Sequence, residues 1–491
     1  MAGMVAFSYR HLQRDRAHSP RRPSPEGDFV MRIALVAPHA VLPGSQATGR
    51  SHRVTSLAQA LARLGHSVTV YARKDSAALP GKAEVAQGVT IEHIPAGPPT
   101  RLSADEVAPH LRAFSDQLAR RWQQEPPDIA HAHFWTSGLA VLAGVRGLDV
   151  PVVQTFHSLG IPHAPGTVKA VGTQPARGSR GRHAPGTTRL PGPARPGAAS
   201  AAGARRHHRP ESARQLARIR LEVCLARNVS AVLATSSEEM SKLVGLGVPR
   251  ASMRVVPWGV DTGRFAPEGP VAVRNGRPRL LAVRQPSGPD GPGEQDEGPD
   301  GLDVVIRALA EVPAAELLIA SGPSGRPRGG DPVRKVLLAL AKDLGVAERV
   351  TFTGEVSWED LPALLRSADL LVSGAWDEPF GTVALQAMAC GTPVAAPALG
   401  VCQDAVIDGT TGILVPPGQP SLLARRIRHL LASPVQLDAF GIAAVDRARS
   451  RYSWDRIGRE TVRAYERCLP HALPELAEDP GPEPAGSLAE G

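Results

Sequence analysis

Aromatic residues make up only 4% of this 491-residue chain, and cysteine occurs four times. Cys224, Cys390, Cys402 and Cys468 form no C-x-x-C pair, which argues against a zinc site or a disulfide framework and for a reducing compartment. No run approaches the roughly 18 consecutive apolar residues of a membrane span, so no integral membrane segment is expected. The first 30 positions hold no apolar core of a secretory signal, and the chain reads as cytoplasmic. In that setting the sequon Asn228-Val229-Ser230 is chance. Neither opening strand is followed by G-x-G-x-x-G, which weighs against an NAD-dependent oxidoreductase. His131 and His133 alternate on one strand and therefore share a face, but no carboxylate or third ligand accompanies them, so no metal is expected.

Hydrophobic residues reach 42%, which with this length suits two or three domains around sizeable cores. The formal charge of +9 raises nucleic acid as a partner until it is located. Between His163 and Arg209 there are one Lys and eight Arg and no acidic residue, so this one stretch carries the whole excess. It is Gly, Pro, Ala and Arg without periodicity or aromatics, and reads as a disordered basic insertion over 163–212 rather than a nucleic-acid surface. Residues 1–30 read as a disordered extension, with Met31 a candidate start. Residues 470–491, acidic and rich in Pro and Gly, read as a disordered tail.

Between these segments, strands and helices alternate. Met31 to Ala37 reads as a buried strand, Pro38 to Arg50 as a loop, Val54 to Leu64 as an amphipathic helix closed by Gly65, and Ser67 to Tyr71 as a second strand. That tight unit implies a right-handed crossover in a parallel sheet. Strands at Val89–His93, Ile129–His133, Val152–Phe156 and Ala231–Thr235 follow, with helices over Val107–Trp122 and Ala213–Arg227. A second series starts after Val255, with strands at Arg279–Val283, Glu316–Ala320 and Val350–Phe352 and helices over Leu302–Glu311 and Pro332–Leu344. The simplest architecture is two facing Rossmann-like α/β domains: 31–255, then 256–450 with a loop insertion at 285–300.

The chemistry concentrates in Glu378-Pro-Phe-Gly-Thr-Val-Ala-Leu-Gln-Ala-Met-Ala-Cys-Gly-Thr-Pro-Val394. It follows the apolar strand Leu370-Leu-Val372, and a turn through Phe380, Gly381 and Thr382 opens a helix over Val383–Cys390. The first amides of such a helix suit anionic oxygens. Glu378 can accept hydrogen bonds from sugar hydroxyls, and Gln386, two turns on, can meet a ribose.

This segment resembles the E-x7-E stretch of the retaining glycosyltransferases of family four, usually EPFG-x-V-x-LEAMACG-x-PVVA, with Gln386 in place of the second Glu. Pro127-Asp-Ile-Ala-His-Ala-His-Phe-Trp135 and Thr155-Phe-His-Ser-Leu-Gly160 resemble the branch holding mycothiol-type inositol-phosphate glycosyltransferases and sucrose-phosphate synthases. Val256-Pro-Trp-Gly-Val-Asp261, Leu361 to Asp369 and Asp408 to Pro417 are further matches. The resemblance implies a GT-B fold with a cleft between the domains and a terminal helix, within 451–469, crossing back onto the first domain. It implies metal-independent hexosyl transfer from a nucleotide sugar, as co-substrate rather than cofactor, to a small-molecule, glycan or lipid acceptor. By the same resemblance Glu378, His157 and Arg284 are the catalytic positions, and Phe380, Gly381, Thr382, Gln386 and Gly49 contact the donor.

Departures from the family pattern keep two function classes open. Arg284 stands at the Arg of G-R-x4-K-G, but Asp300 falls where the Lys belongs. Losing that charge-assisted bond forfeits roughly 1.5–3 kcal/mol. The first glycine loop keeps Gly49 but presents Arg50 and Arg53, which can contact phosphate or stay solvated. The chain reads as an active transferase, weakened at these points, or as a catalytically impaired nucleotide-sugar binder.

Overall fold

In the computed structural model, residues 30–37, 49–161, 209–284, 301–321, 332–374 and 381–469 are described. Glu378, Phe380, Asp300 and most of both insertions lie outside them, as do the two terminal segments. Two sheets organise the chain.

The first contains β1 (Arg32–Ala37), α1 (Gly49–Arg63), β2 (Ser67–Arg73), β3 (Lys82–Ala86), β4 (Val89–Ile94), α2 (Ala104–Val107), α3 (Leu111–Gln124) and β5 (Ile129–His133). It continues through α4 (Trp135–Gly144), β6 (Val152–Thr155), α5 (Arg209–Asn228), β7 (Ala231–Ala234), α6 (Ser237–Gly245) and β8 (Met253–Val255). Strand order is β3-β4-β2-β1-β5-β6-β7-β8, parallel except for β3 against β4.

The second contains β9 (Arg279–Arg284), α7 (Leu302–Ala310), β10 (Glu316–Ser321), α8 (Pro332–Asp343), β11 (Val350–Glu355), α9 (Leu361–Arg366), β12 (Leu370–Val372) and α10 (Thr382–Ala389). Then come β13 (Val394–Pro397), α11 (Gly400–Ala405), β14 (Gly412–Val415), α12 (Pro420–Leu431), α13 (Pro434–Tyr452) and α14 (Trp454–Glu466). This sheet is parallel throughout, in the order β11-β10-β9-β12-β13-β14.

Local sequence explains most of these elements and corrects several expectations. Val54, Leu57, Ala58 and Leu61 repeat at helical spacing and are buried, and Gly65 at φ +89° releases the chain into β2. The helix starts at Gly49, five residues before the apolar repeat, so the expected loop through Arg50 is too long. The expected helix over Val107–Trp122 is broken by a 3-10 turn at Ala108–His110, where Pro109 offers no amide to an α-helical ladder. The helix expected from Ala213 begins at Arg209, so it takes in the last four residues assigned to the 163–212 insertion. The antiparallel strand β3 was not anticipated; it turns into β4 at Gly88, φ +76°.

Helices α13 and α14 belong to different cores. Ala444, Ala448 and Tyr452 of α13 pack with Ala387 and Met388 of α10, whereas Trp454, Ile457, Ala464 and Tyr465 of α14 pack with Leu35, Leu57 and Leu61 under the first sheet. Gly458 lets α14 approach α1, since a Cβ there would sit 3.3 Å from Ala60 Cβ. Arg63 donates to Asp455 Oδ1 from Nε at 3.2 Å and from Nη2 at 2.9 Å. The crossing occurs at Ser453, which forms a bridge with Val260; the Val260 amide donates to Tyr452 O at 2.7 Å. Gly259 lies flat on Trp454, where a Cβ would meet the indole at 2.5 Å.

Candidate active site

Each sheet reverses its strand order once: between β1 and β5 in the first, between β9 and β12 in the second. Helices on either side of such a reversal diverge, leaving a crevice beyond the carboxyl ends of the strands where ligands bind in open α/β sheets. Every proposed site residue that the structure describes lies beyond such strand ends or on a helix that starts there.

At the second crevice Arg284 ends β9, half-buried. Gly301, φ +72°, caps α7, and Gly381, φ +49°, caps α10. Side chains are excluded at both approaches: a Cβ on Gly374, after β12, would lie 2.1 Å from Gly301 O, and one on Gly381 would lie 2.8 Å from Val401 Cγ1. Thr382 and Gln386 stand four residues apart on α10 and so share a face. Both are buried, at 9% and 2% exposure, yet Thr382 Oγ1 and Gln386 Oε1 have no hydrogen-bond partner. A buried unsatisfied polar atom costs about 1–3 kcal/mol, which a bound polar ligand would relieve.

At the first crevice an imidazole and aromatic group gathers. His133 ends β5, Phe134 follows at φ +69°, and His157, just beyond β6, has φ +66°. These are the non-glycine residues with positive φ among those described, a conformation costing about 1–3 kcal/mol that clusters at functional sites. His133 Nδ1 lies 3.1 Å from His157 Nε2, and the His157 ring is 4.9 Å from that of Trp258. Arg53, 5% exposed, holds its guanidinium 5.9 Å over the same indole. Gly49 opens α1 one turn earlier.

His131 shares its face with His133, the rings 4.2 Å apart, as strand alternation predicts. Its Nδ1 meets Tyr465 OH at 2.7 Å and its Nε2 meets Thr155 Oγ1 at 2.9 Å, so this imidazole fastens α14 to the sheet. Burial pushes His133 down to about 3 and His131 well below its ordinary value, the latter also by its neighbour His133, so both rings are neutral. Among the described residues no three His, Cys, Asp or Glu are grouped to hold a metal.

The turn after His157 is clamped from α5. The Gly160 amide donates to Glu222 Oε2 at 2.8 Å, Arg218 Nε donates to Glu222 Oε1 at 2.8 Å, and Arg218 Nη2 donates to Ser158 O at 3.2 Å. Sequence reasoning missed Glu222, Arg218, Trp258 and Phe134 as parts of this site. Trp258 was visible only inside a matched motif, and Glu222 reads as an ordinary helix-face charge paired four residues back with Arg218.

The halves also touch. Asp404 of α11 accepts from the Ser237 amide at 2.7 Å and from its hydroxyl, while Glu238 of α6 accepts from the Gly400 amide and pairs with Lys242 at 2.7 Å.

The Glycosyltransferase Family 4 model matches residues 48–264, and the Glycosyl transferases group 1 model matches residues 297–447. A D-inositol 3-phosphate glycosyltransferase of Nocardiopsis dassonvillei is 30% identical over 465 residues, covering 91% of this chain and 97% of the relative. One from Geodermatophilus obscurus is 31% identical over 457 residues, covering 90% and 91%. Among solved structures, sucrose-phosphate synthase of Thermosynechococcus elongatus superposes with a TM-score of 0.67 at 24% identity, over 89% of this chain and 98% of that one. Anabaena HepE, in complex with UDP and glucose, superposes with a TM-score of 0.58 at 18% identity, over 88% and 98%. With two parallel-sheet domains, a crevice at each strand-order reversal and both family models matched in sequence, the chain belongs to the group 1, family 4 glycosyltransferases of GT-B fold.

Proposed function

We propose that this protein moves a hexosyl group from a nucleoside-diphosphate sugar to a small hydroxylic acceptor, with retention at the anomeric carbon and without a metal. The observation that carries the reading is the start of α10, where Thr382 Oγ1 and Gln386 Oε1 are buried without partners beside a helix N-terminus capped by Gly381, at which any Cβ would crowd Val401. Amides there and the Arg284 guanidinium would stabilise the charge that develops on the departing diphosphate. Glu378 would accept from sugar hydroxyls and Gln386 from the ribose. Because His157 Nε2 is engaged by His133, any ligand contact of that ring falls to Nδ1. The names of the inositol 3-phosphate glycosyltransferases make a phosphorylated cyclic polyol the first acceptor to try.

The test is a screen of UDP-glucose, UDP-N-acetylglucosamine and UDP-galactose with and without inositol phosphate. Donor hydrolysis, product anomer by NMR, and activity in EDTA are read in each case. Turnover of at least one donor with retention, unaffected by EDTA and lost in Glu378→Ala, is expected. Calorimetric binding of no nucleotide sugar by the folded wild type would overturn the reading; binding without turnover would move the protein to the impaired-binder class.

A further inference from the structure

His157 holds φ +66°, a conformation that a non-glycine residue keeps only where its surroundings impose it. Its ring faces His133, Phe134 and Trp258, at centroid distances of 5.2, 4.3 and 4.9 Å. Its chain neighbours are anchored on the other side, by α5. Phe156, 1% exposed, shares a core with Leu225 and Ala226 of that helix, and Leu159 packs against the same core.

Polar bonds from α5 complete the hold on this turn. Arg218 Nη2 donates to Ser158 O at 3.2 Å, one residue after His157, and the Gly160 amide donates to Glu222 Oε2 at 2.8 Å, three residues after it. Arg218 Nε donates to Glu222 Oε1 at 2.8 Å, so a single carboxyl group governs both attachments. Gly160 makes room for this arrangement, since a Cβ there would lie 3.0 Å from Arg218 Cδ. The Arg218 side chain is 29% exposed, whereas that of Glu222 is fully buried. A carboxyl group withdrawn from water is costly unless its oxygens are satisfied, and here one oxygen serves the turn and the other serves the arginine that holds the turn.

We infer that Glu222 is a positioning residue for His157: by accepting from Gly160 and from Arg218, which in turn holds Ser158, it fixes the left-handed backbone at His157 and with it the place of the imidazole at the first crevice. The consequence for sugar transfer rests on the reading of His157 as a sugar contact.

The experiment uses full-length protein labelled with 13C-histidine. The His157 ring signals are assigned by their loss in His157→Ala, and the ring currents of Phe134 and Trp258 make their shifts a measure of where the imidazole sits. Glu222→Leu, apolar and of similar size, should move those signals toward the values of an exposed histidine. Glu222→Gln, whose amide oxygen can still accept from Gly160, should keep them near the wild-type position. In UDP-glucose hydrolysis the Leu variant should lose about tenfold in kcat while calorimetric donor affinity stays within about twofold, because the proposed donor contacts of α10 lie on the second domain; Gln should restore much of the rate. Val248→Ala is the control: it opens the same core before β8, at the opposite ends of the strands, so it should lower stability yet leave the His157 signals and kcat unchanged. If Glu222→Leu does not fold, Arg218→Met, at a partly exposed position, carries the same expectation through Ser158. His157 signals unmoved in folded Glu222→Leu or Arg218→Met, or moved equally in Val248→Ala, overturn the inference. These signals need no turnover, so they decide it in an impaired binder as well. If they move as expected but His157→Ala hydrolyses UDP-glucose at the wild-type rate, the positioning stands and the sugar-contact reading falls.

Discussion

Gly381 joins backbone strain to ligand space at a single position. At φ +49° it caps α10, and its missing side chain leaves room for Val401. An alanine would have to adopt a left-handed conformation, costing about 1–2 kcal/mol, and would press its Cβ to 2.8 Å from Val401 Cγ1. The less strained escape is to tip the first turn of α10, which carries Thr382 away from the crevice. Gly381→Ala should therefore lower the melting temperature and weaken UDP-sugar binding about tenfold or more. Gly245, which has open space around its Cβ position and lies within α6, is the matched control: Gly245→Ala should leave binding unchanged and stability equal or higher. Equal binding by the two variants in calorimetry would separate Gly381 from the donor site.

Strand β5 shows how one element ties the fold to its chemistry. His131 holds α14 through Tyr465, while His133 holds His157, two residues past β6, and burial makes the charged form of either imidazole costly. Their native pKa values lie below the ordinary 6.5, so below that pH the unfolded chain binds more protons and folding stability falls as pH drops. For His133 the window runs from about 6.5 down to about 3, with a slope of about 1.4 kcal/mol per pH unit. Glu222 and Glu239 act in the opposite sense. Burial raises both above 4.5, so their contribution is present in acid and is lost as pH rises through the raised values. The two effects offset one another in part above pH 4.5, and the histidines act alone among these four below it. The difference between wild type and His133→Asn isolates one histidine: denaturant titrations should show the gap in stability shrinking by up to about 1.4 kcal/mol per unit as pH falls from 6.5. A gap independent of pH would mean that His133 titrates in the folded protein as it does in the unfolded chain.

How much of this was legible beforehand follows from what is local. The parallel sheets were legible because Ile33, Leu35, Val68, Val70 and their counterparts form short apolar runs bounded by turns. Gln386, Thr382 and Gly381 were legible because they lie in one contiguous motif, whose helix begins at Thr382, one residue before the position expected. The partnership of His133 and His157 was not, since their 24-residue separation becomes a contact only when β5 and β6 pair. Tyr465 lies 334 residues from His131, and only the return of α14 across the first sheet joins them. The antiparallel β3 escaped because Lys82 to Ala86 alternates weakly, with no residue fully buried.

At the scale of the whole molecule, two kinds of connection join the halves, and they differ in strength. The chain crosses between the domains at Val260 and Ser453, where a bridge holds the two passes together and α14 sinks into the first core. The contact between α6 and α11 is a reciprocal exchange: Asp404 receives the first amide of α6, and Glu238 receives the first amide of α11. Each helix caps the other with a carboxylate, which is favourable at a positive helix end, yet the Asp404 side of the exchange is exposed and so contributes about 1 kcal/mol or less per bond. Such a clasp is strong enough to bias a domain arrangement and weak enough to open. It also reaches the donor crevice, because Val401, in the first turn of α11, is the residue that packs on Gly381. Asp404→Ala should shift the melting temperature by little while increasing the radius of gyration in small-angle scattering, and it should lower kcat/KM for a UDP-sugar more than it alters calorimetric donor binding. High salt should push the wild type in the same direction, since Asp404 is solvent-facing. An unchanged radius of gyration in Asp404→Ala, together with unchanged turnover, would show that the crossing alone sets the arrangement of the two domains and that the exchange between α6 and α11 is incidental to closure.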